Sequence, residues 1–209
     1  MIFIINAENR QLFASDLVEM HRQRKRVFVD ESRWQVPVVD DMEIDRYDCA
    51  DTTYLIAKME PDGPVLASVR LLPTVTPHLM SDLFLDACKG AAPRGPGTWE
   101  VSRFCAMPTL QSGRTRVDLL WEIICGVMET ALLFGIDQIT FVANAALLPL
   151  AFNCGWQAQT LGPTLRDGND EITAVAVKIT PEGLRNVRHR FGFAGPVTRF
   201  LTPTARIAA

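Results

Sequence analysis

Hydrophobic and polar positions follow two periods along this chain, and together they predict a protein of alternating strands and helices. The run MIFII (1–5) reads as a short buried strand. From Arg10 to Ser32 apolar residues recur every three to four positions, the period of an amphipathic helix, with Asn9 placed to cap it. Residues 33–51 have no period, carry Pro37 and many acids, and read as a structured loop. The runs TYLIAKM (53–59) and PVLASVRLL (64–72) flank Pro61-Asp62-Gly63, which predicts a β-hairpin. A short helix is expected at 79–88, and KGAAPRGPG (89–97) is a loop. Then follow a strand at 98–106, a helix at 115–134, a strand at 138–143, a short helix at 145–153, a strand at 172–179 and a helix at 181–190. This order predicts an α/β domain with a mixed sheet over residues 1–190, then an irregular tail over 191–209.

Composition narrows the class. At roughly 100–200 residues per domain, 209 residues make one domain with a tail. Lys+Arg 21 against Asp+Glu 24 gives a net charge of −3, which argues against a general nucleic-acid or membrane-surface binder. No apolar run approaches the roughly 18 residues that span a bilayer, and the N-terminus lacks the basic region of a signal peptide, so the expected compartment is the cytoplasm. Five widely spaced cysteines (Cys49, Cys88, Cys105, Cys125, Cys154) and three histidines give neither a disulfide framework nor a zinc site. Phosphate-loop, dinucleotide, HExxH and GxSxG patterns are all missing. Any chemistry rests on carboxylates and arginines.

Several residues break the local pattern. Arg24 shares the helical stripe of Phe13, Leu17, Met20 and Phe28. Either it snorkels at the stripe's edge or it meets a carboxylate, because burying it unpaired costs several kcal/mol. Glu43, Asp45 and Asp48 crowd a loop that also holds Trp34 and Tyr47. Regular alternation puts Arg103 and Glu100 on opposite faces of strand 98–106, and Arg70 interrupts an apolar hairpin strand. Together these charges read as a buried polar cluster, which marks a site.

In their order, Arg24-x-x-x-Phe28, Trp34, Glu43-x-Asp45-x-x-Asp48, Arg70-Leu71-Leu72-Pro73-Thr74, Phe84 and Trp99-Glu100-Val101-Ser102-Arg103-Phe104 resemble the autoinducer synthase family, the acyl-homoserine-lactone synthases of bacterial quorum sensing. The resemblance runs from about residue 10 to 156 and fades after about Leu147. It implies a fold like that of the N-acetyltransferase (GNAT) superfamily: a single-domain three-layer sandwich, with a twisted mixed sheet opening at a central V and helices on both sides. It also implies the reaction. S-adenosylmethionine and an acyl thioester, with acyl carrier protein as the expected carrier and coenzyme A as the alternative, give N-acyl-homoserine lactone and methylthioadenosine. S-adenosylmethionine is here a substrate, no cofactor or metal is implied, and a monomer is expected.

The chemistry assigns roles within that resemblance. The substrate amine must lose a proton before it attacks a thioester, and Glu100 is the best-placed base, directly or through water. If Glu100 and Arg103 share a cleft, a bulge or sharp twist must separate them. Backbone N–H groups near 103–106 could hold the oxyanion. Glu100 and Arg103 are the expected catalytic pair, and Arg103 and Phe104, with Phe28 and Trp34, are the expected S-adenosylmethionine site. Arg24, Asp45, Asp48 and Arg70 form a buried ion network or touch substrate. Met80, Phe84, Leu120, Met128, Thr140 and Phe152 are acyl-pocket candidates. Two basic clusters, Arg22, Lys25 and Arg26, and Arg185, Arg188 and Arg190, are the candidate docking face for an acidic carrier protein. Two other readings stand beside this one. Gln111-Ser112-Gly113-Arg114 resembles a pyrophosphate loop and suits another coenzyme A-dependent N-acyltransferase. A non-catalytic binding protein of the same fold is the third.

Overall fold

The computed structural model describes residues 1–107, 113–168 and 170–203. Strand β1 is Ile2–Ile5, and all four of its residues are buried. The stretch expected as one helix is three pieces: a 3-10 turn (Arg10–Phe13), helix α1 (Ala14–Arg24) and a π-helical turn (Lys25–Glu31). Asn9 does not cap it. Its buried side chain donates to the Ile4 and Leu201 carbonyls at 2.9 and 3.0 Å, and accepts from Asn6 N–H at 2.9 Å. A π turn carries an extra residue per turn, which a 3.6-residue period cannot reveal.

The loop at 33–51 contains a small hairpin, β2 (Val38–Val39) and β3 (Met42–Glu43). Its two turn residues, Asp40 and Asp41, both have positive φ (49° and 63°), the geometry of a two-residue type I′ turn. Strands β4 (Thr53–Ala57) and β5 (Ala67–Pro73) follow as expected. Next come α2 (Leu79–Asp82), β6 (Thr98–Ala106), α3 (Arg116–Leu133), β7 (Gln138–Asn144) and α4 (Leu148–Asn153). Two strands escaped the period analysis, β8 (Gln157–Thr160) and β9 (Leu165–Asp167). Both are short and largely polar, so they lack the apolar alternation that signals a strand. β10 (Asp170–Lys178) and α5 (Pro181–Phe191) complete the main elements. The tail is not wholly irregular: Thr198–Arg199 pairs parallel to β1.

The chain forms two compact units. The first comprises Met1–Arg70, Arg103–Gly126 and the chain from Val197. Here β1 lies between β4, antiparallel, and Thr198–Arg199, parallel. Both of its faces are covered, Phe3 and Ile5 packing with Phe13 and Met20 and Ile2 lying against Gly126 of α3, which is why its residues are apolar without alternation. Phe3, Ile5, Phe13, Met20, Tyr54 and Ile56 belong to its core. The second unit comprises Leu71–Ser102 and Val127–Pro196. In it β6 pairs parallel with β7, β7 pairs antiparallel with β10, and β10 pairs with both β8 and β9. Both units are therefore built on sheet hydrogen bonding with helices packed around it. Among the described residues no helix is long and apolar enough to cross a membrane.

Candidate active site

In the first unit the charges that broke the sequence pattern meet. Arg24 is fully buried at the end of α1. Its Nε donates to Glu43 at 2.6 Å, and its two terminal nitrogens fork onto the Asp48 carboxylate at 2.8 and 2.9 Å. Arg70, equally buried on β5, forks onto Asp45 at 2.6 and 3.1 Å and lies 3.0 Å from Asp48. Arg103 completes the set, donating to Glu43 at 3.1 Å and to Asp45 at 2.9 Å. Three guanidiniums face three carboxylates, and the forked geometry uses the fixed donor pattern of arginine. Tyr54 donates its hydroxyl to Asp48 at 2.8 Å.

Electrostatics follow from this geometry. Burial opposes ionisation of Asp48, but the hydrogen bonds and charges of Arg24 and Arg70 outweigh it and hold the carboxyl well below its ordinary range. Burial and the neighbouring Asp48 charge push the Tyr54 phenol far up. Burial, reinforced by Arg24, lowers the His21 imidazole, whose Nδ1 lies 2.9 Å from the Glu43 carbonyl.

Strand β6 runs continuously over Thr98–Ala106. Arg103 has φ +56°, a left-handed conformation rare for a side-chain-bearing residue and common at functional sites. Its guanidinium lies 5.6 Å from the Phe28 ring centre and 6.0 Å from that of Trp34. Those rings stack at 4.9 Å and 9°. Phe28 is buried, whereas Trp34 is 41% exposed. Its hydrogen bonds to Glu43 and Asp45 use Nε and Nη2. Phe104 is half-buried on the same strand.

In the second unit Glu100 is buried on β6. Its carboxylate accepts the N–H groups of Leu79 at 3.2 Å and Met80 at 2.6 Å, at the start of α2. Thr140 is its register partner on β7 and is fully buried. Met80 and Phe84 share an apolar cluster with Ala87, Cys88, Val142 and Ala174. The other acyl-pocket candidates are not in that cluster. The Met128 Cε lies 3.0 Å from where a Cβ on Gly183 would be, so it packs against α5. Leu120 lies half-buried in the first unit, and Phe152 is 40% exposed on α4.

Sequence reasoning placed Arg24, Asp45, Asp48 and Arg70 in one network. It gave Arg103 to the catalytic and ligand-binding sites, read Glu43 among the acids that could partner Arg24, and assigned Tyr54 no role. Glu43 was readable, since it sits in the same acidic loop. Tyr54 carried no sequence signal. Of the pyrophosphate-like stretch, Gln111 and Ser112 lie outside the described residues. Among the described residues no group of three His, Cys, Asp or Glu side chains could hold a metal ion.

The fold is shared with an acyl-CoA N-acyltransferase from Pseudomonas aeruginosa, which superposes with a TM-score of 0.53 at 20% identity, covering 84% of this chain and 98% of that one. The sequence pattern of the autoinducer synthase family matches residues 8–187. The isovaleryl-homoserine lactone synthase of Bradyrhizobium diazoefficiens is 33% identical over 92% of this chain and 86% of its own length. An acyl-homoserine-lactone synthase of Pseudomonas fluorescens is 30% identical over 82% and 85%. Among solved structures, MesI, a CoA-dependent acyl-homoserine lactone synthase, gives a TM-score of 0.84 at 31% identity, covering 95% of this chain and 98% of that one. The chain belongs to the autoinducer synthase family, and so to the acyltransferases.

Proposed function

We propose that this enzyme makes an N-acyl-homoserine lactone from S-adenosylmethionine and an acyl-coenzyme A, releasing free coenzyme A and methylthioadenosine. The observation that carries the reading is Arg103. It is forced into a left-handed conformation, braced by Glu43 and Asp45, and set beside the stacked pair Phe28 and Trp34. The guanidinium suits the substrate carboxylate, and the aromatic faces suit its sulfonium and adenine. Bracing by a six-charge network keeps the group in place without reorganisation during the reaction.

The chemistry needs little more. The substrate amine gives up a proton to Glu100, directly or through water, and attacks the thioester carbonyl. Backbone N–H groups at 103–106 stabilise the oxyanion, and the thiolate leaves. The substrate carboxylate then attacks its own γ-carbon and expels methylthioadenosine. The sulfonium is already a good leaving group, so this step asks only for positioning.

Two observations favour coenzyme A over a carrier protein as donor. MesI is CoA-dependent, and so is BjaI, an acyl-homoserine lactone synthase whose structure with SAM and isopentyl-CoA superposes with a TM-score of 0.86 at 31% identity, covering 97% of this chain and 94% of that one. The basic clusters expected to dock an acidic carrier are also partly neutralised locally. Lys25 pairs with Asp30 and Asp41 at 3.0 and 3.2 Å, and Arg188 pairs with Glu129 at 2.7 Å. The test is a competition. Purified enzyme receives S-adenosylmethionine with equal concentrations of one acyl group on coenzyme A and on acyl carrier protein, isotopically distinguished. Lactone drawn mainly from the coenzyme A pool is expected. Lactone drawn from the carrier alone would reverse the donor assignment, and no lactone from either would overturn the reading.

A further inference from the structure

The Met80 cluster differs from the core of the first unit in how it is covered. Around Phe3, seven buried residues anchor four half-exposed apolar neighbours among the described residues. Around Met80 the proportion is reversed: three buried residues carry six half-exposed ones. This apolar wall is thus only partly covered within the second unit. One side is the segment that runs from Met80 through Phe84 to Cys88. The other is sheet, with Val142 on β7 opposite Ala174 on β10, and Leu161 beside them.

That segment is pinned at two points. At its start, the Glu100 carboxylate holds the Leu79 and Met80 amides. At its far end, Lys89 N–H donates to the Leu161 carbonyl at 2.8 Å, while Leu161 N–H donates to the Ala174 carbonyl at 2.8 Å. The second seam closes only because residue 162 is glycine. A Cβ there would overlap the Ala87 carbonyl oxygen and lie 2.8 Å from the Lys89 nitrogen. These are backbone atoms, which cannot swing aside as a side chain does. A single methyl would have to part the seam.

We infer that Gly162 is a specificity-determining residue, which closes the apolar chamber beneath Met80 and Phe84 and so limits the length of acyl chain the enzyme accepts. The inference rests on the function proposed above. The acyl chain is the occupant because this wall starts at the residues held by Glu100, the proposed base. Parting the seam moves Leu161 away from Cys88 and lengthens the chamber.

The experiment uses Cys88, a half-buried member of the cluster, with exposed Cys49 as an internal reference. Whole enzyme is incubated with non-transferable alkyl thioether analogues of acyl-coenzyme A, from four to twelve carbons. It is then treated with N-ethylmaleimide and mapped by peptide mass spectrometry. Cys88 should be protected up to a limiting chain length, and Gly162→Ala should move that limit to longer chains. The ratio of kcat/KM for long over short donors should rise about tenfold, the effect of a methylene or so in an apolar pocket, with the KM for S-adenosylmethionine unchanged. Gly90→Ala, whose Cβ meets nothing within 4 Å, should change neither. Leu161→Ala enlarges the same end without a backbone clash, so it gives the same shift if Gly162→Ala does not fold. Lactone formation with Cys88 unprotected, or folded variants with the wild-type chain-length profile, would overturn the inference and leave the proposed reaction standing. Chain-length-dependent protection without lactone would overturn the reaction instead.

Discussion

Loss of Arg24 is costly, because it serves two buried carboxylates at once. Arg24→Ala would leave Glu43 and Asp48 each short of a partner, and breaking a buried pair typically costs about 3–5 kcal/mol. Urea unfolding should show that loss. A variant with unchanged stability and no activity would instead make Arg24 a substrate contact. Asp48 predicts a pH dependence. Its folded-state pKa lies below the unfolded value of about 3.9, so its stabilisation is fully present above that pH. It is lost as pH falls from there through the folded-state pKa. Asp48→Asn should therefore flatten the acid limb of the stability profile below about pH 4, and an unchanged limb would mean that other groups set it. For Glu100→Gln, kcat should fall about 10²–10⁴-fold with little change in the KM for S-adenosylmethionine. Near-full turnover would remove Glu100 as base. At this scale the sequence revealed odd residues and not their partners. Arg24 stood out as a charge on an apolar stripe, but the Arg103–Glu43 contact spans 60 positions, and no local spacing encodes it.

Elements were readable in proportion to their length and burial. Strand β6 and helices α3 and α5 lie within a residue of expectation because their apolar patterns extend over several turns or alternations. Helix α5 also carries its own stop and start signals. The Thr180 side chain accepts the Gly183 N–H at 2.9 Å, and Gly192 ends the helix at φ 73°. Thr180→Ala should cost about 1 kcal/mol, measured as a shift in the urea midpoint, and a neutral substitution would show that α5 is held by packing alone. The π turn, the β2–β3 hairpin and the polar strands β8 and β9 stayed hidden. Each is either too short for a period or depends on tertiary pairing. The π turn matters most, since it lies where Phe28 meets Trp34.

At the scale of the whole molecule, the family was legible because its charged and aromatic positions keep their order across most of the chain. The division into two compact units was not, since each unit is assembled from segments distant in sequence. Net charge was informative only until its distribution was known. With Arg188 engaged by Glu129, reversing Arg185 to Glu should leave the KM for acyl-coenzyme A little changed as ionic strength rises, whereas a docked carrier protein would make that constant strongly salt-dependent. The central proposal is that one turnover couples acylation to ring closure. Its most direct test is a single-turnover experiment with enzyme in excess over S-adenosylmethionine, saturating acyl-coenzyme A, and quantitative mass spectrometry of all products. Free coenzyme A, methylthioadenosine and acyl-homoserine lactone should form in equal amounts. Coenzyme A release that yields another acylated amine, with no methylthioadenosine, would contradict it.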